Sequence, residues 1–258
     1  MTAFVDLSHD GPVATLTLQR PEKMNALNLA MWRELAARLR DIAGQNSVRC
    51  VVLRGAGGHF AAGADLAEFT TARWSTAAAE AYGAVMLEAL WGLRDLPQPS
   101  IACINGNCLG AGLELAALCD LRLAATDARF GVPIQRVGVT MPYPELAALV
   151  ALLGRATMLE ILLEGAIHDA AWALARGLVT RLATPSELGA ALADLTARIV
   201  AGSPLSHRNH KKFTQRCLSG DPLSPAELLA SYSVVESEDY REGITAFLEK
   251  RRPDFSGR

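Results

Sequence analysis

Ile101-Ala102-Cys103-Ile104-Asn105-Gly106-Asn107-Cys108-Leu109-Gly110-Ala111-Gly112-Leu113-Glu114-Leu115-Ala116-Ala117-Leu118-Cys119-Asp120 is the stretch on which the reading of this chain turns. It opens after Pro99 as a short apolar run, the pattern of a buried strand. It turns through Gly106 and Gly110-Ala111-Gly112, where glycine lets the backbone approach a ligand or another segment. It closes as an apolar helix holding one carboxylate, Glu114. Free N–H groups at a helix start, with a carboxylate one turn in, suit an oxyanion beside an acid/base. A helix whose Glu114 reaches solvent at an edge fits the same letters, and the stretch alone leaves both readings open.

Working outward, a second segment shares the design. Cys50-Val51-Val52-Leu53 reads as a buried strand. It runs into Gly55-Ala56-Gly57-Gly58-His59-Phe60-Ala61-Ala62-Gly63-Ala64-Asp65-Leu66. Two such turns facing each other would each aim one backbone N–H at the same thioester or ester oxygen. A phosphate loop is a poor fit, because no G-K-[ST] ending follows. A dinucleotide site lacks its third glycine and its acidic residue. Asp65 has the place of a helix cap.

Before these segments, Phe4 to Leu7 and Val13 to Leu18 read as strands joined at Asp10-Gly11-Pro12. Asn28 is placed to cap an amphipathic helix carrying Leu29, Trp32, Leu35, Leu39 and Ile42. The stretch from Ala67 to Thr76 reads as irregular or weakly helical, and Ala77 to Arg94 as a helix. After the central stretch comes a strand at Leu121 to Ala124. Strands alternating with helices argue for an α/β core.

Past Phe130 helices dominate, over Pro144–Leu153, Thr157–Glu164, Ala170–Arg176, Pro185–Val200, Leu205–Leu218, Pro225–Ser237 and Tyr240–Lys250. A short strand at Val179–Leu182 interrupts them. Thr184-Pro185-Ser186-Glu187 and Ser224-Pro225-Ala226-Glu227 both read as a cap, a first-turn proline and a glutamate at the third position.

The 258 residues suffice for a sizeable core, and the net charge of -2 gives no field for nucleic acid or an anionic membrane. The five cysteines, Cys50, Cys103, Cys108, Cys119 and Cys217, show no C-x-x-C spacing, so neither a disulfide framework nor a zinc site is expected. The histidines lack ligand spacing, so no metal is expected. No G-x-S-x-G elbow supports a serine hydrolase. No signal peptide and no membrane-spanning run is read, Leu146 to Leu153 being too short, so a cytoplasmic location is expected.

Four segments carry a resemblance. They are Arg20-Pro21-Glu22-Lys23-Met24-Asn25-Ala26-Leu27, Phe60 to Leu66, Asn105 to Ala116, and the ending Ser237 to Pro253. Together, in order along nearly the whole chain, they resemble the crotonase (enoyl-CoA hydratase/isomerase) superfamily. The resemblance implies an α/β fold with a crotonase-like ββα spiral core (1-200) and a helical carboxy-terminal trimerisation region (201-258). It implies a homotrimer or hexamer. It implies an acyl-CoA substrate, with coenzyme A as part of the thioester and no separate cofactor.

By position, the Ala64 and Ala111 amides would form the oxyanion hole, with Ala111 standing where the family usually has glycine. CoA would lie against Lys23, Met24 and the turn holding Ala62, Ala64, Asp65 and Leu66. Phe247 and Lys250 resemble residues that contact CoA bound to a neighbouring subunit. Glu114 falls on the first catalytic glutamate of the hydratases, where it would handle a proton at carbon or on water.

One departure stands out. Hydratases have a second glutamate twenty residues on, and here Ile134 takes that place. Tyr143, Glu145 and Arg136, in the loop that follows, are the available substitutes. Glu145 reads as a carboxylate in the first turn of a helix. Tyr143 resembles the tyrosine of the methylmalonyl-CoA decarboxylase branch, at a longer spacing. The expected function is therefore hydration or isomerisation of an enoyl-CoA. The alternatives are a decarboxylase or other crotonase-type lyase using Tyr143, and an acyl-CoA binder without chemistry. Trp74, Tyr82, Met86 and Trp91 are candidates for either acyl pocket or core.

Overall fold

The computed structural model describes residues 3–258. β1 (Val5–Asp10) and β2 (Val13–Leu18) pair antiparallel around a tight turn, with Asp10 opposite Val13. Ala14, Leu16 and Leu18 alternate into the core, which fixes the register, since a one-residue slip would turn all three to the other face. Asn28 caps α1 (Leu29–Ala43) by accepting the Met31 N–H at 2.9 Å. Trp32, Leu35, Leu39 and Ile42 lie buried along one face of that helix. Each such side chain contributes roughly 1.5–3 kcal/mol by leaving water.

β3 (Cys50–Gly55) adds parallel to β2. A short α2 (Phe69–Ala72) and a long α3 (Thr76–Arg94) then carry the chain back to β4 (Ser100–Ile104), parallel to β3. β5 (Asn107–Leu109), α4 (Ala111–Leu118), β6 (Leu121–Ala125) and β7 (Arg129–Gly131) follow. Next come α5 (Tyr143–Glu164), β8 (His168–Asp169), α6 (Ala170–Ala175), β9 (Arg181–Ala183) and α7 (Leu188–Val200). The chain ends with α8 (Pro204–Cys217), α9 (Pro225–Tyr232) and α10 (Glu238–Leu248).

The main sheet has the order β1-β2-β3-β4-β6-β9, and a smaller sheet has β5-β7-β8. β4 is buried at every residue, as a parallel strand covered on both faces must be. One of those faces meets α7, where Cys50, Ile101, Leu123 and Leu195 form a separate apolar cluster.

Two sequence expectations change. The small sheet was not anticipated, because strands of two or three residues leave no periodicity to read. Thr184 does not cap a helix. Its hydroxyl donates to Glu187 Oε2 at 2.7 Å, and α7 starts only at Leu188. The two helices expected on either side of residue 155 are present within α5, separated by Gly154, whose backbone (φ 76°, ψ 159°) is not helical. By length and composition α5 is the one helix among the described residues that could cross a membrane. Ser224 behaves as expected and completes a capping box with Glu227.

Candidate active site

The site is built where two turns touch. The loop after β3 is stitched to the segment after β4: Phe60 N–H donates to Asn105 O at 2.9 Å and Leu109 N–H to Ala61 O at 2.9 Å. Gly63 (φ 105°) and Gly110 (φ 49°) meet at the contact. A Cβ on Gly63 would stand 3.2 Å from Leu109 O, and one on Gly110 would stand 3.5 Å from Gly63 Cα. Only glycine takes these left-handed conformations without strain.

Ala64 and Ala111 follow these two glycines. Leu27 brackets Ala64, donating to Gly63 O at 2.7 Å and accepting from Asp65 N–H at 2.8 Å. Ala64 N–H itself has no partner among the described residues. Ala111 opens α4, so its N–H has no carbonyl one turn back to meet. Both residues line one cavity of about 160 Å³.

Asn25 braces this arrangement from behind. It is 0% exposed and holds φ at 57°, which asparagine tolerates better than most residues. Its Nδ2 donates to Ala56 O and His59 O, each at 2.8 Å, and its Oδ1 accepts Arg20 N–H at 2.9 Å. Arg20 in turn ties down the turn that holds Ala64 through Asp65 Oδ2 at 2.9 Å.

The cavity holds three charged side chains: Glu114 on α4, Glu145 in the first turn of α5, and Arg73 just after α2. Glu114 is 8% exposed, and its Oε2 is buried without a hydrogen-bond partner among the described residues. Glu145 is 3% exposed, and both of its carboxyl oxygens are in that state. The Arg73 guanidinium lies over the rings of Phe69 and Tyr82, 4.5 and 5.2 Å from their centroids. Burial, and then the charge of Glu145, push the Glu114 carboxyl up from 4.5 to about 8, while Arg73 acts the other way. Burial also raises Glu145, opposed first by its own backbone N–H and then by Arg73.

This shift makes a prediction about stability. A carboxyl raised from 4.5 to about 8 in the folded state holds its proton more tightly there than in the unfolded chain. Its contribution is fully present below the unfolded value and is lost as pH rises through the folded one. Glu114→Gln removes that dependence. The variant should gain on the wild type, by on the order of 4 kcal/mol, when thermal unfolding is compared at about pH 5 and about pH 9. Equal pH slopes in the two proteins would place the titration elsewhere.

Known proteins resemble this chain over nearly its whole length. The model of the enoyl-CoA hydratase/isomerase family matches residues 8–258. The chain belongs to the enoyl-CoA hydratase/isomerase family. The short-chain-enoyl-CoA hydratase of Clostridium acetobutylicum is 32% identical over 252 residues, covering 96% of this chain and 95% of the relative. A structure described as an enoyl-CoA hydratase/carnithine racemase from Magnetospirillum magneticum superimposes with a TM-score of 0.98 at 47% identity, covering 100% of this chain and 97% of that one. An enoyl-CoA hydratase from Bacillus anthracis gives 0.91 at 27% identity, covering 99% and 100%.

Within this family frame, the residues named from the sequence fall into four groups. Ala62, Ala64, Leu66, Ala111 and Glu114 line the cavity together, with Met86 from α3. Lys23 and Met24 lie beside it on an exposed turn, and the Met24 carbonyl accepts Ala62 N–H at 2.9 Å. Asp65 faces Arg20 and caps the 3-10 turn at Leu66–Glu68. Phe247 and Lys250 are exposed on and after α10 and do not line this chain's cavity.

Tyr143 corrects an expectation. At the first position of α5 it points outward, 88% exposed, and does not line the cavity. The inward residue of that turn is Glu145, which the sequence presents only as a helix-start carboxylate. Arg136 is also elsewhere, donating to Gly165 O at 3.2 Å. Ile134 does line the cavity, as an apolar wall. Of the aromatic candidates, Tyr82 is buried beneath Arg73, Trp74 is exposed, and Trp91 lines a separate groove beside Arg94. Arg73 escaped notice in the sequence because the segment around it shows no periodic pattern.

Proposed function

We propose that this protein processes acyl-CoA esters by enoyl-CoA hydratase/isomerase chemistry, holding a thioester enolate between the Ala64 and Ala111 amides with Glu114 as acid/base. The observation that carries this reading is that two main-chain N–H groups without partners and a buried glutamate open onto one cavity. As charge moves onto the thioester oxygen, the two donors bind the developing oxyanion more strongly than the ground-state carbonyl. Glu114, in an apolar setting, exchanges a proton with substrate carbon or with water. The CoA moiety is assigned to the surface beside Lys23 and Met24.

The cavity volume of about 160 Å³ supports a short acyl group. Exposed Leu229, Phe247 and Leu248 leave apolar surface on the carboxy-terminal helices, which supports assembly with further copies of this chain as a trimer or hexamer. All five cysteines are free, which supports a reducing compartment such as the cytoplasm.

The test is loss of enoyl absorbance with crotonyl-CoA, beside longer, branched and aromatic enoyl-CoAs. The expected result is fastest turnover with the short ester. Binding of CoA esters without turnover on any of them would favour a binder or a decarboxylase. Malonyl- and methylmalonyl-CoA would then separate those two.

A further inference from the structure

We propose that Glu145 is the second proton-handling group of this site, and that it and Glu114 work as a carboxyl pair holding one proton between them at neutral pH. This deepens the function proposed above and rests on it for the chemical step.

Glu145 owes its place to the start of α5. Pro142 sits at the cap with extended backbone (φ -63°, ψ 157°) and Pro144 lies inside the first turn. This start leaves Tyr143 in solvent and turns Glu145 inward. A first-turn glutamate serving only the helix stays in water or bonds the free amides of that turn. Glu145 is not in water, and of the first-turn amides only its own N–H acts on the carboxyl. Its oxygens are buried, have no other partner among the described residues, and belong to a residue lining the cavity that Glu114 shares. Burying such a group costs free energy, and folds accept that cost at functional sites.

The surroundings allow one negative charge and disfavour two. Among the lining residues, α4 contributes Glu114, the segment after α2 contributes Arg73, and α3 contributes Met86. The 133–142 loop contributes Pro133, Ile134 and other uncharged residues. Of the acids nearby, Asp65 is paired with Arg20 and Glu68 accepts the Leu29 N–H. Arg73 is thus the one cation facing the pair, held over two rings. Two carboxyls sharing a dry space with one cation retain a proton. The raised Glu114 agrees, because the charge of Glu145 contributes to keeping that proton on Glu114.

This supplies both groups that hydration needs. Glu145, ionised, takes a proton from water as the water oxygen bonds to the β-carbon. The double-bond electrons move to the thioester oxygen between the two amides. Glu114 then gives its proton to the α-carbon as the carbonyl re-forms. One water is added, and the proton gained by Glu145 returns to Glu114 to reset the pair. Ile134 occupies the cavity wall without disturbing this, because the base arrives from α5.

The test combines two variants with two readouts. With crotonyl-CoA, Glu145→Gln should lower kcat by about 10²–10⁴ while KM changes little, and should remove the acidic limb of the pH profile. Glu145→Asp should restore part of the rate, which a purely structural defect would not show. In the free enzyme labelled with 13C-carboxyl glutamate, the Glu114 midpoint should fall in Glu145→Gln. Wild-type kcat in Glu145→Gln, or an unmoved Glu114 midpoint, overturns the proposal. A wild type inactive on every enoyl-CoA would instead overturn the function above, and the carboxyl titration alone would then decide the pair.

Discussion

Glu114→Gln is expected to lower kcat for enoyl-CoA turnover by about 10²–10⁴, the range of a positioned general acid/base, while CoA-ester affinity stays near wild type. The substitution keeps shape and hydrogen-bonding reach and removes the exchangeable carboxyl proton. The oxyanion donors proposed above are main-chain amides, on Ala64 and Ala111, so the substitution leaves them in place. Residual turnover would measure what the hole and binding achieve alone. Isothermal titration with a non-reactive acyl-CoA separates affinity from chemistry. A fully active Glu114→Gln would remove this residue from proton transfer.

Asn25→Ala is expected to produce the largest loss of stability. The change deletes two donated bonds of 2.8 Å and one accepted bond of 2.9 Å at a residue with no exposed surface. It leaves the Ala56 and His59 carbonyls and the Arg20 N–H without their partner, at about 1–3 kcal/mol for each buried group left unsatisfied. It also forces alanine into a left-handed conformation, at a further 1–2 kcal/mol or so. A total of about 4 kcal/mol or more is a large share of the roughly 5–15 kcal/mol that holds a domain folded. Asn25→Asp should fare little better, because it sets a carboxylate against two carbonyls. Urea unfolding of the three proteins checks this, and a loss below about 1 kcal/mol would mean the node is dispensable.

Sequence reading succeeded where a local rule and the tertiary environment agreed. Val13–Leu18 alternates and forms β2 with those bounds, and Asn28 and Ser224 cap the helices that follow them. The two glycine turns were visible because left-handed turns after strands favour glycine. Ala64, Ala111 and Glu114 were pointed to by the family resemblance, and all three line one cavity. It failed where three dimensions decide. Thr184 and Ser224 begin nearly the same four-residue pattern and both hydroxyls reach the glutamate three residues on, yet only Ser224 also accepts that residue's N–H and caps a helix. Tyr143 and Glu145 are two residues apart on one helix start. Which of them faces the cavity depends on how α5 is rotated against α4, and no local pattern records that rotation. Asn25 and Arg73 act through partners 31 to 34 residues away and through ring faces, respectively.

The two unspent amides have an evolutionary consequence. Every residue but proline carries an N–H, so almost no codon change at position 64 or 111 can delete a donor. Alanine at 111 therefore keeps the hole that glycine would make. The side chains around it enjoy no such insulation: on the proposed reading, Ile134 carries no proton and Glu145, in the first turn of the helix that follows, does so instead. A scaffold of this kind inherits its electrophilic centre through backbone shape and is free to trade its proton carriers. Relatives that look depleted when compared column by column can therefore still be complete when compared as cavities.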